Sequence, residues 1–278
     1  MCRWFAYRGA PLRTSELLLH PVHSIVAQSL DSPLGAETVN GDGFGFGWYP
    51  VEGGDPGVFR SIEPAWHDRN LRSISEATTS PLFFCHVRAA AGPPIQQTNC
   101  HPFAHDGWLF MHNGVIAGFR DVKRDLVLQV DPRTYPDILG TTDSEVLFHL
   151  ALALGLRDDP VAGMARALAE VERVGKEHGV PFPFQGTVAV TDGTTVWAFR
   201  YSSQGRTRTL FHSTDLADLR AMYPDEERLS LFSDDAHVVV SEPLNDLPGV
   251  FREVPESTVA ILDADGYRHA EFMPDARA

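Results

Sequence analysis

The chain has 278 residues, 43% of them hydrophobic and 22% charged, a globular composition with length enough to bury a core. Its formal net charge of −14, from 23 Lys+Arg against 37 Asp+Glu, argues against a broad basic face for nucleic acid. No apolar run approaches the ~18 residues that a spanning helix needs, so no membrane partner is expected. Three cysteines (Cys2, Cys85, Cys100) form no C-x-x-C pair, which argues against a disulfide scaffold and makes a cytoplasmic setting the expectation. Of the twelve histidines, His101 and His105 flank Pro-Phe-Ala, and His20 and His23 bracket Pro21-Val22. Neither is a metal-ligand spacing, so neither a metal nor a cofactor is expected.

Residues Met1 to Tyr7 alternate in polarity and soon meet Gly9 and Pro11, which reads as a strand and not a signal peptide. Asn40-Gly41-Asp42-Gly43-Phe44-Gly45-Phe46-Gly47 fails the dinucleotide fingerprint because Phe46 stands at the third glycine, and Asp42 would repel a phosphate. It is expected to be a tight turn into a strand over Phe44 to Tyr49, followed by a hairpin loop at Glu52 to Gly57. Further strands are expected over Leu82 to Ala89, Trp108 to His112, Thr187 to Thr191, Thr195 to Tyr201, Thr209 to Ser213, His237 to Val240 and Val259 to Leu262. Asp192-Gly193 and Asp265-Gly266 are the hairpin turns. Two helices are legible. One opens at a T-x-x-E capping box (Thr142, Glu145); the other spans Val161 to His178 with Met164, Leu168, Val171 and Val174 on one face and Gly179 as its stop. Strands outnumber helices, so the expectation is an α+β domain of mainly antiparallel sheets, one unit over 2–278.

The chemistry is carried by a few residues. If Met1 is removed, Cys2 holds a thiol and a free α-amine on one residue at an exposed strand start. Their titrations lie close together, at ~8.5 and ~7.7–8.0, so proton transfer between them is almost isoergic. Strand alternation sets Leu82, Phe84, His86 and Arg88 on one face and Phe83, Cys85, Val87 and Ala89 on the other, with Cys85 a buried, inert thiol. Arg88 at a strand end followed by Gly92-Pro93-Pro94 is placed to enter a pocket, though taken alone a rim salt bridge is the favoured reading. His112-Asn113-Gly114 ends a strand either as an ordinary turn or as a pair of donors for an oxyanion. Asp143 at a helix start complements the helix dipole and can receive an ammonium.

The ordered set Met1-Cys2, Asn40 to Gly47, His86-Val87-Arg88, Asn99-Cys100-His101-Pro102, His112-Asn113-Gly114 and Thr142-Asp143-Ser144-Glu145 resembles the class II glutamine amidotransferases. These are N-terminal-nucleophile hydrolases, and the resemblance implies a four-layer αββα sandwich. Val240-Ser241-Glu242-Pro243-Leu244 is similar to the stand-alone branch, which holds γ-glutamyl amidases of ergothioneine and glutathione metabolism. The resemblance implies Cys2 as nucleophile with its own α-amine as base. Asn113 and the Gly114 N–H would hold the oxyanion, and Arg88 and Asp143 would grip the substrate α-carboxylate and α-ammonium. His101, Asn40 and Asp42 would line the pocket.

Two departures bear on the substrate. Val39-Asn40 stands where synthase-fused members carry Arg-Gly, and Ala89, Ala90 and Ala91 follow Arg88 where they carry Trp and Thr. The expected reaction is hydrolysis of a γ-glutamyl amide through a Cys2 thioester. The alternatives are a glutaminase delivering ammonia to a separate synthase partner, and a catalytically silent γ-glutamyl-binding regulator; the partner considered is a separate synthase or peptidase subunit.

Overall fold

The structure is a computed structural model that describes residues 2–32, 34, 38–90 and 92–277. Met1 and Ala91, which enter the sequence readings, lie outside the described residues. One sheet has seven strands: β1 (Arg3–Arg13), β2 (Phe44–Trp48), β3 (Gly57–Ser61), β4 (Thr79–Val87), β9 (Phe211–Ser213), β10 (His237–Val240) and β11 (Phe251–Glu253), in the order β11-β9-β10-β1-β4-β2-β3. The other has six: β5 (Phe103–His105), β6 (Trp108–Ile116), β7 (Phe184–Thr191), β8 (Val196–Ser202), β12 (Thr258–Asp263) and β13 (Gly266–Glu271), in the order β13-β12-β8-β7-β6-β5. The strand pairings are antiparallel.

Three apolar layers follow from strand alternation. Between the sheets lie Trp4, Ala6, Leu82 and Phe84 against Leu109, Met111, Ala189 and Ala198. The opposite face of β1 and β4, with Phe5, Tyr7, Phe83 and Cys85, is covered by α1 (Ser15–Leu18), α2 (Ile25–Leu30) and α3 (Arg69–Ala77). The outer face of the six-stranded sheet is covered by α4 (Phe119–Val127), α5 (Asp143–Ala153) and α6 (Pro160–Glu177). This is the αββα sandwich. The expected α6 face of Met164, Leu168, Val171 and Val174 is buried, and Gly179 ends the helix with φ at +76°.

The glycine-rich stretch has a steric cause. In β2, Phe44 and Phe46 point into the helix-covered layer while Gly45 and Gly47 face the second sheet. The segment His101-Pro102 lies on those two glycines. A Cβ on Gly45 would collide with the His101 carbonyl, and one on Gly47 would come 2.8 Å from Pro102 Cγ.

The structure corrects one boundary that matters. β6 does not end at His112 but runs on to Ile116, so Asn113 and Gly114 are strand residues paired with Thr187 and Gly186. The His112 ring packs over the paired glycines, where a Cβ on Gly186 would sit 2.5 Å from His112 Nε2. Here Asn-Gly is a packing requirement and not a turn. Helices α3 and α4, absent from the sequence reading, bury only Leu71 and Ser75, and Val122 and Leu126, respectively, too few to stand out as a pattern.

Gly45→Ala should destabilise the fold by about 1–3 kcal/mol, the usual range for overpacking a close-packed layer. Urea denaturation checks this; an unchanged midpoint would show that the His101 segment yields freely.

Candidate active site

Cys2 enters the inner layer at the head of β1. It is half-buried rather than exposed, and its Sγ donates to the Ala89 carbonyl at 3.6 Å. The register Trp4↔His86 places Cys2 beside the end of β4, where Arg88 leaves the strand. Burial pushes the thiol above its ordinary value; the Ala89 hydrogen bond and the charges of Arg88 and Arg3 oppose that rise. Cys2 is therefore a thiol near neutrality, a nucleophile that needs a base.

Arg88 is almost wholly buried. Its Nη2 donates to the Pro93 carbonyl at 3.2 Å and its Nη1 reaches the Asp42 carbonyl at 3.5 Å. The Asp42 N–H donates to the Arg88 carbonyl and the Arg88 N–H to the Gly43 carbonyl. Asp42 Oδ2 accepts from the Ala90 N–H at 2.7 Å. Asp42 thus braces the Arg88 loop with its carboxylate already engaged. Asn40 is fully buried; its Nδ2 reaches the Gln28 carbonyl at 3.4 Å and its Oδ1 has no donor.

Asn113 faces the inner layer from the other sheet, next to Thr187 in register. Thr187 Oγ1 accepts from Trp4 Nε1 at 3.1 Å, so a bond between the sheets joins the strand of Asn113's neighbour to the strand of Cys2. Asp143 opens α5 half-buried. Its Oδ2 accepts from the Ile116 N–H at 2.8 Å and its Oδ1 from the Ser144 N–H at 2.9 Å, fixing the helix start to the end of β6. The expected capping box is half-formed. Thr142 Oγ1 accepts from the Glu145 N–H, but the Glu145 carboxylate takes the N–H groups of Leu139 (3.0 Å) and Gly140 (2.6 Å) instead of that of Thr142.

Arg88 and Asp143 make no bond to one another, yet one framework holds both. Asn99 Nδ2 donates to the Pro94 carbonyl at 2.9 Å and its Oδ1 accepts from the Thr141 N–H at 2.8 Å. One amide thereby ties the loop that receives Arg88 to the turn that precedes Asp143. Sequence reasoning gave Asn99 no role, and nothing in its local pattern could have shown a bond across 42 residues.

His101 is buried and stacks on His86 with ring centroids 4.2 Å apart. His86 was given no role of its own. Both ring nitrogens of each are buried without a partner, while His112 Nδ1 pairs with Ser144 Oγ at 2.9 Å. Burial lowers all three pKa values. His86 falls to about 3, with Arg88 and His112 adding to the fall and the His112 carbonyl opposing it. His101 falls well below the usual imidazole value, helped by His86, His112, Arg88 and Arg60, and His112 falls with Asp143 opposing. The floor of the site is therefore neutral imidazole beside a fixed guanidinium.

Residues 23–247 match the family described as glutamine amidotransferases class-II. The chain belongs to this family, and its N-terminal-nucleophile-type fold carries a class II glutamine amidotransferase domain. It is 34% identical over 291 residues to the probable glutamine amidotransferase DUG3 of Saccharomyces cerevisiae, covering 94% of this chain and 82% of that protein. It is 34% identical over 119 residues to the gamma-glutamyl-hercynylcysteine sulfoxide hydrolase of Mycolicibacterium smegmatis, covering 42% of this chain and 52% of that one. Among solved structures, a glutamine aminotransferase class-II domain protein from Silicibacter pomeroyi superposes with a TM-score of 0.74 at 30% identity, covering 99% and 100% of the two chains. The glutamine phosphoribosylpyrophosphate amidotransferase of B. subtilis shares the fold at a TM-score of 0.65 and 16% identity, over 99% of this chain and 50% of that one. No helix among the described residues is long and apolar enough to cross a membrane.

The histidine floor has a pH consequence. His86 titrates near 6.5 when unfolded and about 3 when folded, so the unfolded state binds the extra proton and stability falls as pH drops below about 6.5. His86→Phe should remove about 1.4 kcal/mol per pH unit from that slope between roughly pH 6 and 4. Urea unfolding at stepped pH measures it; an undiminished slope would mean that His86 is protonated in the folded state.

Proposed function

We propose that the protein hydrolyses a γ-glutamyl amide with Cys2, after removal of Met1, as its nucleophile. The observation that carries this reading is the meeting of Cys2 and Arg88 at Ala89, with the thiol bonded to the carbonyl of the residue next to the buried guanidinium. In the proposed reaction the α-amine of Cys2 takes the thiol proton and Sγ attacks the side-chain carbonyl of the substrate. The Asn113 amide and the Gly114 N–H stabilise the oxyanion, the amine leaves, and water releases glutamate from the thioester. A thiol whose pKa is raised by burial gains most from a base on its own residue.

Arg88 receives the substrate α-carboxylate as a fork whose orientation is already set by the Pro93 carbonyl, and Asp143 receives the α-ammonium. His101 and Asn40, both buried, serve as pocket wall. Asp42 acts through its brace on the Arg88 loop. The M. smegmatis relative is named for a γ-glutamyl compound larger than glutamine, and the sequence beside Arg88 holds small residues in Ala89, Ala90 and Gly92; both support a substrate bulkier than free glutamine.

Cys2→Ala should abolish glutamate release while circular dichroism stays that of the wild type; retained turnover would end the nucleophile assignment. Asn113→Ala should lower kcat by about 10²–10³ with KM little changed. An effect on KM alone would instead assign Asn113 to ground-state binding.

Arg88→Ala and Asp143→Ala should each reduce kcat/KM by about two decades, since each leaves one charge of the head group unpaired. The double variant should lose less than the product, because both serve one ligand. A panel of γ-glutamyl amides and peptides, assayed for glutamate, tests the amine side. Free glutamine as the best substrate by a wide margin would favour an ammonia donor working with a separate synthase subunit.

A further inference from the structure

The segment Ser241–Pro243 leaves β10 and closes over the head of β1. Ser241 brackets Trp4: its N–H donates to the Trp4 carbonyl at 2.9 Å and its Oγ accepts from the Trp4 N–H at 3.1 Å. The next residue, Glu242, forms a close ion pair with Arg3 through Nε, both side chains under 5% exposed. The same guanidinium turns its Nη1 to the Cys2 carbonyl at 2.8 Å. Glu242 is itself held, since Ser32 Oγ donates to its Oε1 at 2.8 Å and Gln28 Nε2 approaches its backbone carbonyl at 3.3 Å.

A buried ion pair is a poor device for stability alone, because desolvation offsets most of the attraction and an apolar pair of like volume often serves as well. What it supplies here is direction. Arginine is a rigid planar fork, so a guanidinium fixed on Glu242 through Nε can reach a carbonyl through Nη1 in only a narrow range of backbone conformations. That carbonyl belongs to Cys2, near a chain end, where backbone ordinarily frays. Fixing it fixes the bond about which Sγ and the amine are aimed. Lysine, a single ammonium on a flexible stem, cannot hold both acceptors in one set geometry.

We infer that Arg3 and Glu242 are positioning residues for the nucleophile, a buried clamp that aims Cys2 by its carbonyl. This rests on the reading of Cys2 as the nucleophile. Arg3→Lys keeps the charge facing Glu242 and should retain the wild-type thermal midpoint within a few degrees. Its kcat should fall at least tenfold with KM within about twofold, because aim and not affinity is lost. Glu242→Gln removes the negative charge, and the alkylation rate of Cys2, followed by peptide mass spectrometry against pH, should shift its midpoint to lower pH as the Arg3 charge, no longer offset by Glu242, favours thiolate.

Wild-type kcat in Arg3→Lys together with an unmoved alkylation profile in Glu242→Gln overturns the inference. Should either single variant fail to fold, the pair Arg3→Met with Glu242→Met removes both charges at once. A folded double variant with kcat down at least tenfold and KM kept supports the clamp, and wild-type kcat overturns it. A double variant that does not fold also overturns it, since the pair would then hold the fold and not the nucleophile. Turnover by Cys2→Ala would sink the nucleophile reading instead, a result that none of these variants can mimic.

Discussion

The hydrogen bond from the Trp4 indole to Thr187 is the interaction on which the geometry of the site depends. The candidate nucleophile rides on one sheet and the candidate oxyanion donors on the other, so their separation is set by how the two sheets face each other. Apolar layers such as Ala6, Phe84 and Met111 fill space but tolerate sliding. A single directional bond at the polar end of that layer does not. It joins the residue two after Cys2 to the strand neighbour of Asn113, and so couples strand register in both sheets to the place where chemistry would occur.

The same constraint explains what the sequence disclosed. Alternation in β4 and the Thr142 cap are local properties, and they placed the two faces of the strand and the start of α5 correctly. Asn113-Gly114 was placed at a strand end because Asn-Gly commonly turns a chain. Its continuation in β6 depends on Gly186, 72 residues later, leaving room for the His112 ring. The turn and strand of the β2 glycines were legible, but not why they are glycines: the His101-Pro102 backbone lies against that strand face. Asn99, Ser241 and Glu242 act through partners far away in sequence, and no window of residues contains that information.

Electrostatics sets a buried guanidinium beside neutral imidazoles. Arg88 has the backbone carbonyls of Asp42 and Pro93 as hydrogen-bond partners. On the proposed reading, an anionic head group would meet a guanidinium that is buried and already oriented, where each hydrogen bond is worth more than at an exposed arginine. Burial lowers the pKa values of His86 and His101 beside it, so on that reading they would add no competing positive charge to spread the anion's position.

Asp143 is the less free of the two clamp residues. Its oxygens already accept N–H groups from Ile116 and Ser144, which orient the carboxylate but leave lone pairs unoccupied, since an ionised carboxylate can accept about four hydrogen bonds. A group that must receive an ammonium benefits from such prior fixation, because little entropy remains to be lost on binding. Asn99 extends the logic to the distance between the clamp residues, bonding the Pro94 and Thr141 loops with the two ends of one amide. An amide can do this where a carboxylate or an ammonium cannot, as it alone offers a donor and an acceptor back to back. The spacing of cation and anion across the proposed head-group site is thus set by the width of a single asparagine side chain.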